Sequence, residues 1–288
     1  MTPPQDWPAN RVGELLQLEV TRSDPLGAGG FGRPYRVELG DGREVFVKAD
    51  RDATPGFFEH EAWGLRWLAE VAAGARAAEV LAVDRQLLIL EWVDPGSASR
   101  SAAADFGRRL AITHSAGAPS FGRPVSSVLA SESLPGGEYR DWPSFYAEAR
   151  LGPFLERAVA AGHLDDRDQL AIRQLIERLP ELAGPDESPA RLHGDLWSGN
   201  VLWSDRGAIM IDPAAYGGHR ETDLAMLALF GLPHLEMVLE SYQQEHPLAA
   251  GWQQRVPLHQ LFPLLVHAVI FGGSYGAAAG DAARRCLR

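Results

Sequence analysis

The segment His193-Gly-Asp-Leu-Trp-Ser-Gly-Asn200 carries the side chains with the clearest capacity for chemistry. A histidine two residues before an aspartate, and an asparagine five residues after it, match the spacing H-x-D-x-x-x-x-N of a phosphoryl-transfer loop. In such a loop the aspartate accepts the proton of the attacking hydroxyl, and the asparagine ligates magnesium. We therefore predict that Asp195 is the catalytic base and that Asn200 is a metal ligand. A short apolar run ends at Asp212, seventeen residues after Asp195, and we predict that Asp212 is the second magnesium ligand.

Lys48 is the only lysine in the chain, since the other 26 of the 27 basic residues are arginines. It ends the run Val45-Phe-Val-Lys48, which resembles the phosphate-binding V-A-I-K element of kinases. Codon bias accounts for the use of arginine at the other basic positions. Lys48 is kept as lysine because a planar guanidinium cannot replace a compact ammonium at a phosphate contact. The lysine of a kinase is held by a carboxylate from the following helix. Glu61 is the first candidate, because it falls on the apolar face of that helix, and Glu59 is the second.

Glycines cluster in Gly27-Ala-Gly-Gly-Phe-Gly32 and match the spacing G-x-G-x-x-G of a phosphate-binding loop. A dinucleotide-binding fold would need a helix after this loop. A strand follows instead, as in the glycine-rich loop of protein kinases, where backbone amides approach the nucleotide phosphates. We predict nucleotide contacts at Gly27, Gly29, Gly30 and Gly32. The alternative is an ordinary hairpin tip.

Four further positions have both a functional and a structural interpretation. Trp197 is either a platform for the substrate or a half-buried core aromatic residue. His193 is expected to brace the loop rather than to act as a base, and Asp223, at the start of a helix, is expected to accept backbone amides of the loop. Glu91-Trp-Val93 follows an apolar strand and is predicted to be the hinge whose backbone, at Glu91 and Val93, contacts adenine; the alternative is a plain strand end.

Two regions of different pattern must position these residues. Residues 12–93 show mainly strand patterns and one helix, and the later part is mainly helical, which predicts an α/β (α+β) fold with two lobes, 1–93 and 94–288. Thr54-Pro55 is predicted to cap a helix that continues to about Gly74, and residues 117–137 show no periodicity. The other predicted elements are strands at 35–39, 44–48, 80–83 and 87–93, helices at 102–116, 142–161, 165–180, 221–230, 234–245 and 257–280, and a hairpin formed by 201–203 and 208–211.

Composition excludes several classes of protein. The chain has 288 residues and a formal net charge of −11, without the basic run that a nucleic acid partner requires. No apolar stretch is long enough for a membrane span, and no signal peptide is evident. A single cysteine, Cys286, excludes an internal disulfide framework. We expect a cytoplasmic monomer.

The chain resembles the fructosamine/ketosamine-3-kinase family, a small-molecule branch of the protein-kinase-like fold. The resemblance extends from about Gly13 to Tyr275, and the H-G-D segment with its asparagine is shared with aminoglycoside and choline kinases. Trp197 and the D-P-A-x-Y-G pattern that begins at Asp212 narrow it to the ketosamine kinases. Other segments that look familial are Phe58-Glu-His-Glu61, Asp141-Trp-Pro-Ser-Phe-Tyr146, Glu221-Thr-Asp-Leu-Ala-Met226 and Leu261-Phe-Pro-Leu-Leu-Val-His267.

The resemblance implies ATP- and Mg²⁺-dependent phosphorylation of the 3-hydroxyl of a sugar–amine adduct, a deglycation reaction. It also places His267 at a family position, either as a substrate contact or as a core histidine. Some members carry a cysteine in the glycine-rich loop, and this chain does not. The alternatives are a related hydroxyl kinase, such as an aminoglycoside phosphotransferase, and a nucleotide-binding scaffold without turnover. The sequence leaves open which sugar is used and whether the amine is free or protein-bound.

Overall fold

The computed structural model describes residues 7–27, 32–129 and 132–288. A π-helical segment, Tyr146–Leu151, joins α4 to α5, and a 3₁₀ turn covers Ser198–Asn200. The helices are α1 (Trp7–Leu16), α2 (Phe57–Ala69), α3 (Arg100–Ser115), α4 (Trp142–Phe145), α5 (Gly152–Ala160), α6 (Asp166–Glu177), α7 (Leu179–Leu182), α8 (Glu221–Phe230), α9 (Leu235–Glu245), α10 (Trp252–Phe271) and α11 (Tyr275–Cys286). The strands are β1 (Val20–Pro25), β2 (Arg33–Leu39), β3 (Glu44–Ala49), β4 (Arg76–Ala77), β5 (Val80–Val83), β6 (Leu87–Glu91), β7 (Phe121–Arg123), β8 (Ser127–Leu129), β9 (Glu132–Leu134), β10 (Gly137–Tyr139), β11 (Ala190–Leu192), β12 (Val201–Ser204), β13 (Gly207–Met210) and β14 (Tyr216–Gly218).

An antiparallel sheet with the order β1-β2-β3-β6-β5 forms the N-terminal part of the molecule. Side chains of a strand point alternately to opposite faces, so β3 contributes to two cores. Val45 and Val47 pack with Val12 of α1 on one face, and Phe46 packs against the core that contains Phe58 of α2 on the other. The same alternation directs Lys48 to the α2 face.

The C-terminal part is mainly helical, and its described residues also contribute to three smaller sheets, one of which includes β4. Its largest core lies among α4–α6, α10 and α11, and a second core joins α3, α8 and α9 to the β12–β13 hairpin. β4 pairs in parallel with β13, so the N-terminal part is attached to the hairpin that precedes Asp212. The division into lobes at residues 1–93 and 94–288 stays a prediction.

Several predicted elements are confirmed. The strand pair β2–β3 turns at Asp41-Gly42, where Gly42 has a φ of 84°. The hairpin β12–β13, helix α8 and strand β5 lie where the sequence predicts them.

The predicted helix start at Thr54-Pro55 is wrong, as is its end at Gly74. α2 begins at Phe57, after Gly56 in a left-handed conformation (φ 85°), and ends at Ala69. The chain turns away because the backbone N–H of Ala75 donates to the carbonyl of Arg109 (3.1 Å) and to Thr113 Oγ1 (2.8 Å) on α3. This tertiary contact overrides the local helical pattern.

Three further elements differ from the expectation. α1 was not predicted. Residues 117–137 were expected to lack regular structure, but their described part contains the short strands β7, β8 and β9 and the first residue of β10. Strands of three residues are too short to show an alternating pattern. The single helix predicted for 257–280 is α10 and α11, which are separated at Gly272-Gly273, where φ is 63° and 60°.

Candidate active site

The lysine of β3 forms an ion pair with the first candidate carboxylate on α2. Lys48 Nζ lies 3.0 Å from both Oε1 and Oε2 of Glu61, and both residues are buried. Glu59, the second candidate, is exposed. Glu61 is therefore the residue that holds Lys48, as its position on the apolar face of the helix predicts.

Asp212 completes a triad of charges around Lys48. Its Oδ1 lies 2.6 Å from Lys48 Nζ, and its backbone is left-handed, with a φ of 55°. Burial by itself would lower the pKa of Lys48, but the carboxylates of Glu61 and Asp212 outweigh burial and raise it. Burial raises the pKa of Glu61, and the neighbouring Lys48 ammonium opposes that shift. The ammonium is thus held charged in a cleft.

Asp195 and Asn200 contact each other directly. The side-chain Nδ2 of Asn200 donates to Asp195 Oδ2 at 3.0 Å and to the Asp195 carbonyl at 2.8 Å. The antiparallel pairing of β12 with β13 brings Asn200 next to Ile211, whose N–H donates to the Asn200 carbonyl at 3.1 Å. The hairpin therefore places Asn200 beside Asp212.

The pKa of the Asp195 carboxyl group lies near neutral pH. Burial raises its pKa to about 7, and the nearby Asp212 carboxylate acts in the same direction, while the hydrogen bond from Asn200 opposes them. A general base is most effective when its pKa lies near the working pH. The environment of Asp195 thus differs from that of a solvated surface aspartate in the way that proton transfer requires.

His193 and Asp223 both make the contacts that the sequence predicts. His193 is fully buried; its Nε2–H donates to the Ile211 carbonyl at 2.8 Å, and its Nδ1 accepts the N–H of Asp195 at 3.3 Å. Burial lowers the pKa of His193, so the ring is neutral. Asp223 accepts the N–H groups of His193 (2.8 Å) and Gly194 (3.0 Å). Hydrogen bonds with the His193 ring and with the Asp223 carboxylate thus fix the backbone of residues 193–195.

His114 of α3 is a supporting residue that sequence reasoning did not find. Its Nε2–H donates to Asp223 Oδ2 at 3.2 Å, and its Nδ1 accepts the hydroxyl of Tyr242 at 2.8 Å. Burial would raise the pKa of Asp223, but the hydrogen bond with His114 helps to lower it, so Asp223 stays ionised. His114 lies 109 positions before Asp223 and has no motif around it, so only the tertiary structure shows the contact.

The glycine-rich loop is described at its two ends. Gly27 and Gly32 have φ values of 77° and 81°, which favour glycine. A Cβ on Gly32 would lie 3.8 Å from Cβ of Lys48, so the end of the loop approaches the lysine. Gly29 and Gly30 lie outside the described residues, and nucleotide contacts at all four glycines stay a prediction.

The predicted hinge begins at the last residue of strand β6, which lies between β3 and β5 in the sheet. Glu91 pairs opposite Val45, and its carboxylate bonds to Arg206 at 2.8 Å. Val93 is buried against the core beneath α2. Adenine contacts at Glu91 and Val93 stay a prediction, because these observations concern side chains and the proposed contacts use the backbone.

A cavity of about 340 Å³ brings the predicted residues together. Lys48, Glu61, Asp195, Asn200 and Asp212 line it, and so do Trp197 and His267. Trp197 is 40% exposed and its ring lies over Gly199, where a Cβ would collide with it, so Trp197 is not a core residue. His267 is half-buried, and its Nδ1–H donates to the Pro263 carbonyl at 2.8 Å. Both residues therefore line the same cavity as Asp195.

A family model described as fructosamine kinase matches residues 10–288, nearly the whole chain. The chain belongs to the fructosamine kinase family. This confirms the resemblance found in the sequence and identifies the chain as a kinase. In the part of the chain that the structure describes, no helix is both long and apolar enough to cross a membrane.

Relatives of this fructosamine kinase family member span most of its length. A probable ketoamine kinase of Enterococcus faecium is 33% identical over 259 residues, which are 88% of this chain and 91% of that protein. Protein-ribulosamine 3-kinase, chloroplastic, from Arabidopsis thaliana is 32% identical over 275 residues, 91% of this chain and 81% of that protein.

Solved structures confirm the two-lobed, protein-kinase-like α/β architecture. The crystal structure of a provisionally named fructosamine-3-kinase from Thermobifida fusca superimposes with a TM-score of 0.93 at 47% identity, covering 97% of this chain and 98% of that one. The aminoglycoside phosphotransferase APH(4)-Ia has a TM-score of 0.65 at 18% identity, with 97% of each chain covered. The second likeness shows the shared fold alone.

Proposed function

We propose that the protein is an ATP-dependent ketosamine-3-kinase, which phosphorylates the 3-hydroxyl of a ribulosamine- or fructosamine-type adduct. One observation carries the proposal: Lys48 lines the same cavity as Asp195, Asn200 and Asp212, although it lies about 150 positions before them in the sequence. Family membership and the names of the relatives support the substrate class. The aminoglycoside alternative has no support beyond the fold.

The donor set of the cavity fits magnesium. Asn200 and Asp212 offer an amide oxygen and a carboxylate, and hard oxygen ligands are what Mg²⁺ prefers. Asn200 Nδ2 donates a hydrogen bond to Asp195 Oδ2, and this bond fixes the orientation of the Asn200 side-chain amide. When bound, the ion neutralises phosphate charge.

The chain's own residues account for positioning and proton transfer. Lys48, held by Glu61, binds phosphate oxygens, and the glycine-rich loop covers them with backbone amides. Asp195 accepts the proton of the substrate 3-hydroxyl, while His193 and Asp223 keep its loop in place. Trp197 and His267 contact the sugar–amine substrate.

The decisive experiment measures ATP consumption with ribulosamine, erythrulosamine and fructosamine adducts of one amine, with phosphate on the sugar confirmed by mass spectrometry. The free amine and an aminoglycoside serve as controls. Turnover of the aminoglycoside alone would favour a related hydroxyl kinase, and ATP binding without any turnover would favour a scaffold. A monomeric state, a cytoplasmic location and the lack of nucleic acid and membrane partners stay predictions.

Lys48→Arg is expected to lower kcat/KM at least about tenfold, which corresponds to about 1.4 kcal/mol of transition-state stabilisation. The forked guanidinium cannot occupy the point position between Glu61 and Asp212 that the ammonium takes at 3.0 Å and 2.6 Å. Steady-state kinetics give the value, and thermal melting tests the fold. Arg43→Lys, an exposed exchange in the turn between β2 and β3, is the matched control and should leave the kinetics unchanged. Unchanged kinetics for Lys48→Arg would remove the phosphate-binding role.

Trp197→Ala is expected to raise KM for the ketosamine by roughly tenfold, because an apolar contact area is lost, and to change KM for ATP less than about twofold. Trp63→Ala is the control, since Trp63 is 37% exposed but does not line the cavity. Equal effects on both KM values, together with a lower melting temperature, would instead support a purely structural Trp197.

A further inference from the structure

A second cavity, of about 360 Å³, opens beside α2. Trp63 and Trp67 of α2 form part of its wall, and residues of β7, β10 and β14 form the rest together with the segment before β7. Glu61 lies on another face of the helix and lines the active-site cavity instead. Among the described residues, none lines both cavities, so the two are separate binding spaces.

Two arginines and two tryptophans contact one another in series beside this cavity. The ring centroids of Trp63 and Trp67 lie 5.0 Å apart, with an angle of 18° between the ring planes. Cζ of Arg123 lies 3.9 Å from the centroid of the Trp63 ring, and Cζ of Arg191 lies 4.5 Å from that of Trp67. Cation–π contacts at these distances are attractive, so the position of the Arg123 guanidinium is fixed by the packed indoles.

The two arginines differ in their polar partners. Arg191 donates to the Trp67 carbonyl and forms an ion pair with Glu70 at 3.2 Å. Arg123 forms no hydrogen bond or ion pair with any residue that the structure describes, and burial lowers its pKa without an acidic group that opposes the shift. Burial also lowers the pKa of His60 on α2, and the positive charge of Arg123 adds to that effect. A half-buried cation without a counter-ion favours an anionic ligand.

The other lining residues restrict the class of anion. Pro119, Pro124 and Val125 present an apolar surface, and Val125 is 52% exposed. Of the described lining residues, only Arg123 and Glu138 carry a formal charge, and the negative charge of Glu138 opposes a second negative charge on a ligand. The cavity therefore fits a monoanion with a compact apolar body. The forked N–H groups of a guanidinium match the geometry of a carboxylate.

We propose that this cavity is a second ligand site, which binds an apolar monocarboxylate of the arylalkanoate class. The carboxylate pairs with Arg123, and the apolar body lies against Pro119, Val125 and the indole of Trp63. The inference goes beyond the proposed kinase activity and does not depend on it, because the site shares no described residue with the active site.

Titration calorimetry of the full chain with 3-phenylpropionate tests the site. The neutral 3-phenylpropionamide has the same apolar body and should bind at least about tenfold more weakly, because it lacks the charge-assisted pair. The dianion phenylsuccinate should also bind more weakly, because Glu138 repels its second carboxylate. The affinity for 3-phenylpropionate should be the same with and without Mg²⁺·ATP, which would compete only for an anion bound at Lys48.

Arg123→Gln should lower the affinity for 3-phenylpropionate to about that of the amide, and Arg123→Lys, which keeps the charge without the fork, should retain part of it. Arg22→Gln is the matched control, because the Arg22 side chain is 68% exposed on β1 and does not line the cavity; it should bind as the wild type does. Melting curves check the fold of each variant, and the comparison of acid with amide needs only the wild-type protein.

Three results would each overturn the proposal. The first is equal affinity of the wild type for 3-phenylpropionate and its amide, or no binding of the acid up to about 10 mM. The second is an unchanged affinity in a folded Arg123→Gln variant. The third is displacement of the acid by Mg²⁺·ATP, which would place it at Lys48 in the active site.

Discussion

Replacing Asp195 with Asn is expected to lower kcat by about 10²- to 10⁴-fold, the usual contribution of a general base. The amide has nearly the shape of the carboxyl group but cannot accept the proton of the substrate hydroxyl. Its oxygen can still accept the hydrogen bond that Asn200 donates to Asp195 Oδ2 at 3.0 Å, so the loop should keep its conformation. Single-turnover kinetics at saturating ATP and ketosamine measure the effect.

Folding and ATP affinity should survive this change. Burial already disfavours the ionised form of Asp195, whose pKa is about 7, so a neutral amide adds no desolvation cost. Asp205→Asn, on the exposed turn of the β12–β13 hairpin, is the control for an identical chemical change. If Asp195→Asn turned over at the wild-type rate, Asp195 could not be the base.

The second large effect is expected at Asp212. Asp212→Asn should lower kcat/KM at least about 100-fold and remove the magnesium-dependent part of ATP affinity, because even residues that only support a metal ligand contribute about 10- to 100-fold. Titration calorimetry with ATP in the presence of Mg²⁺ and in the presence of a chelator measures the difference.

The choice of substitution matters because the backbone of Asp212 is left-handed, with a φ of 55°. Asparagine tolerates this conformation better than alanine, so Asp212→Asn removes the charge with little added strain, whereas Asp212→Ala combines both effects. Equal magnesium-dependent affinity in Asp212→Asn and the wild type would exclude Asp212 as a ligand. Loss of activity in Asp212→Ala alone would indicate backbone strain instead.

The helix and strand boundaries that the sequence predicted wrongly depend on features that a local pattern does not show. The start of α2, the break between α10 and α11 and the strands within residues 117–137 depend on contacts with distant segments or on residues in left-handed conformations. β7, for example, pairs with β14 through Gly122 and Gly217, about 95 residues apart in sequence. The spacing of apolar residues within one segment does not indicate such long-range pairings. Elements that were predicted well, such as β2 with its alternating Tyr35, Val37 and Leu39, carry a clear pattern of their own.

The sequence by itself determined the reaction class and identified the candidate residues for it. The catalytic loop 193–200 and the strand that ends at Lys48 are short segments, and their residue types and spacing reflect local backbone geometry that needs no distant partner. The preference for Glu61 over Glu59 followed from one helical face, which is also a local property.

Only the tertiary structure decided how these segments meet. Lys48 and Asp212 are 164 positions apart in sequence, and the distance of 2.6 Å between their side chains results from packing of the sheet, α2 and the β12–β13 hairpin. The burial that raises the pKa of Asp195 and the support from His114 arise in the same way. These properties belong to sets of residues from different elements. The pattern of a single segment therefore does not predict these properties, because they depend on desolvation and on contacts between surfaces that only folding brings together.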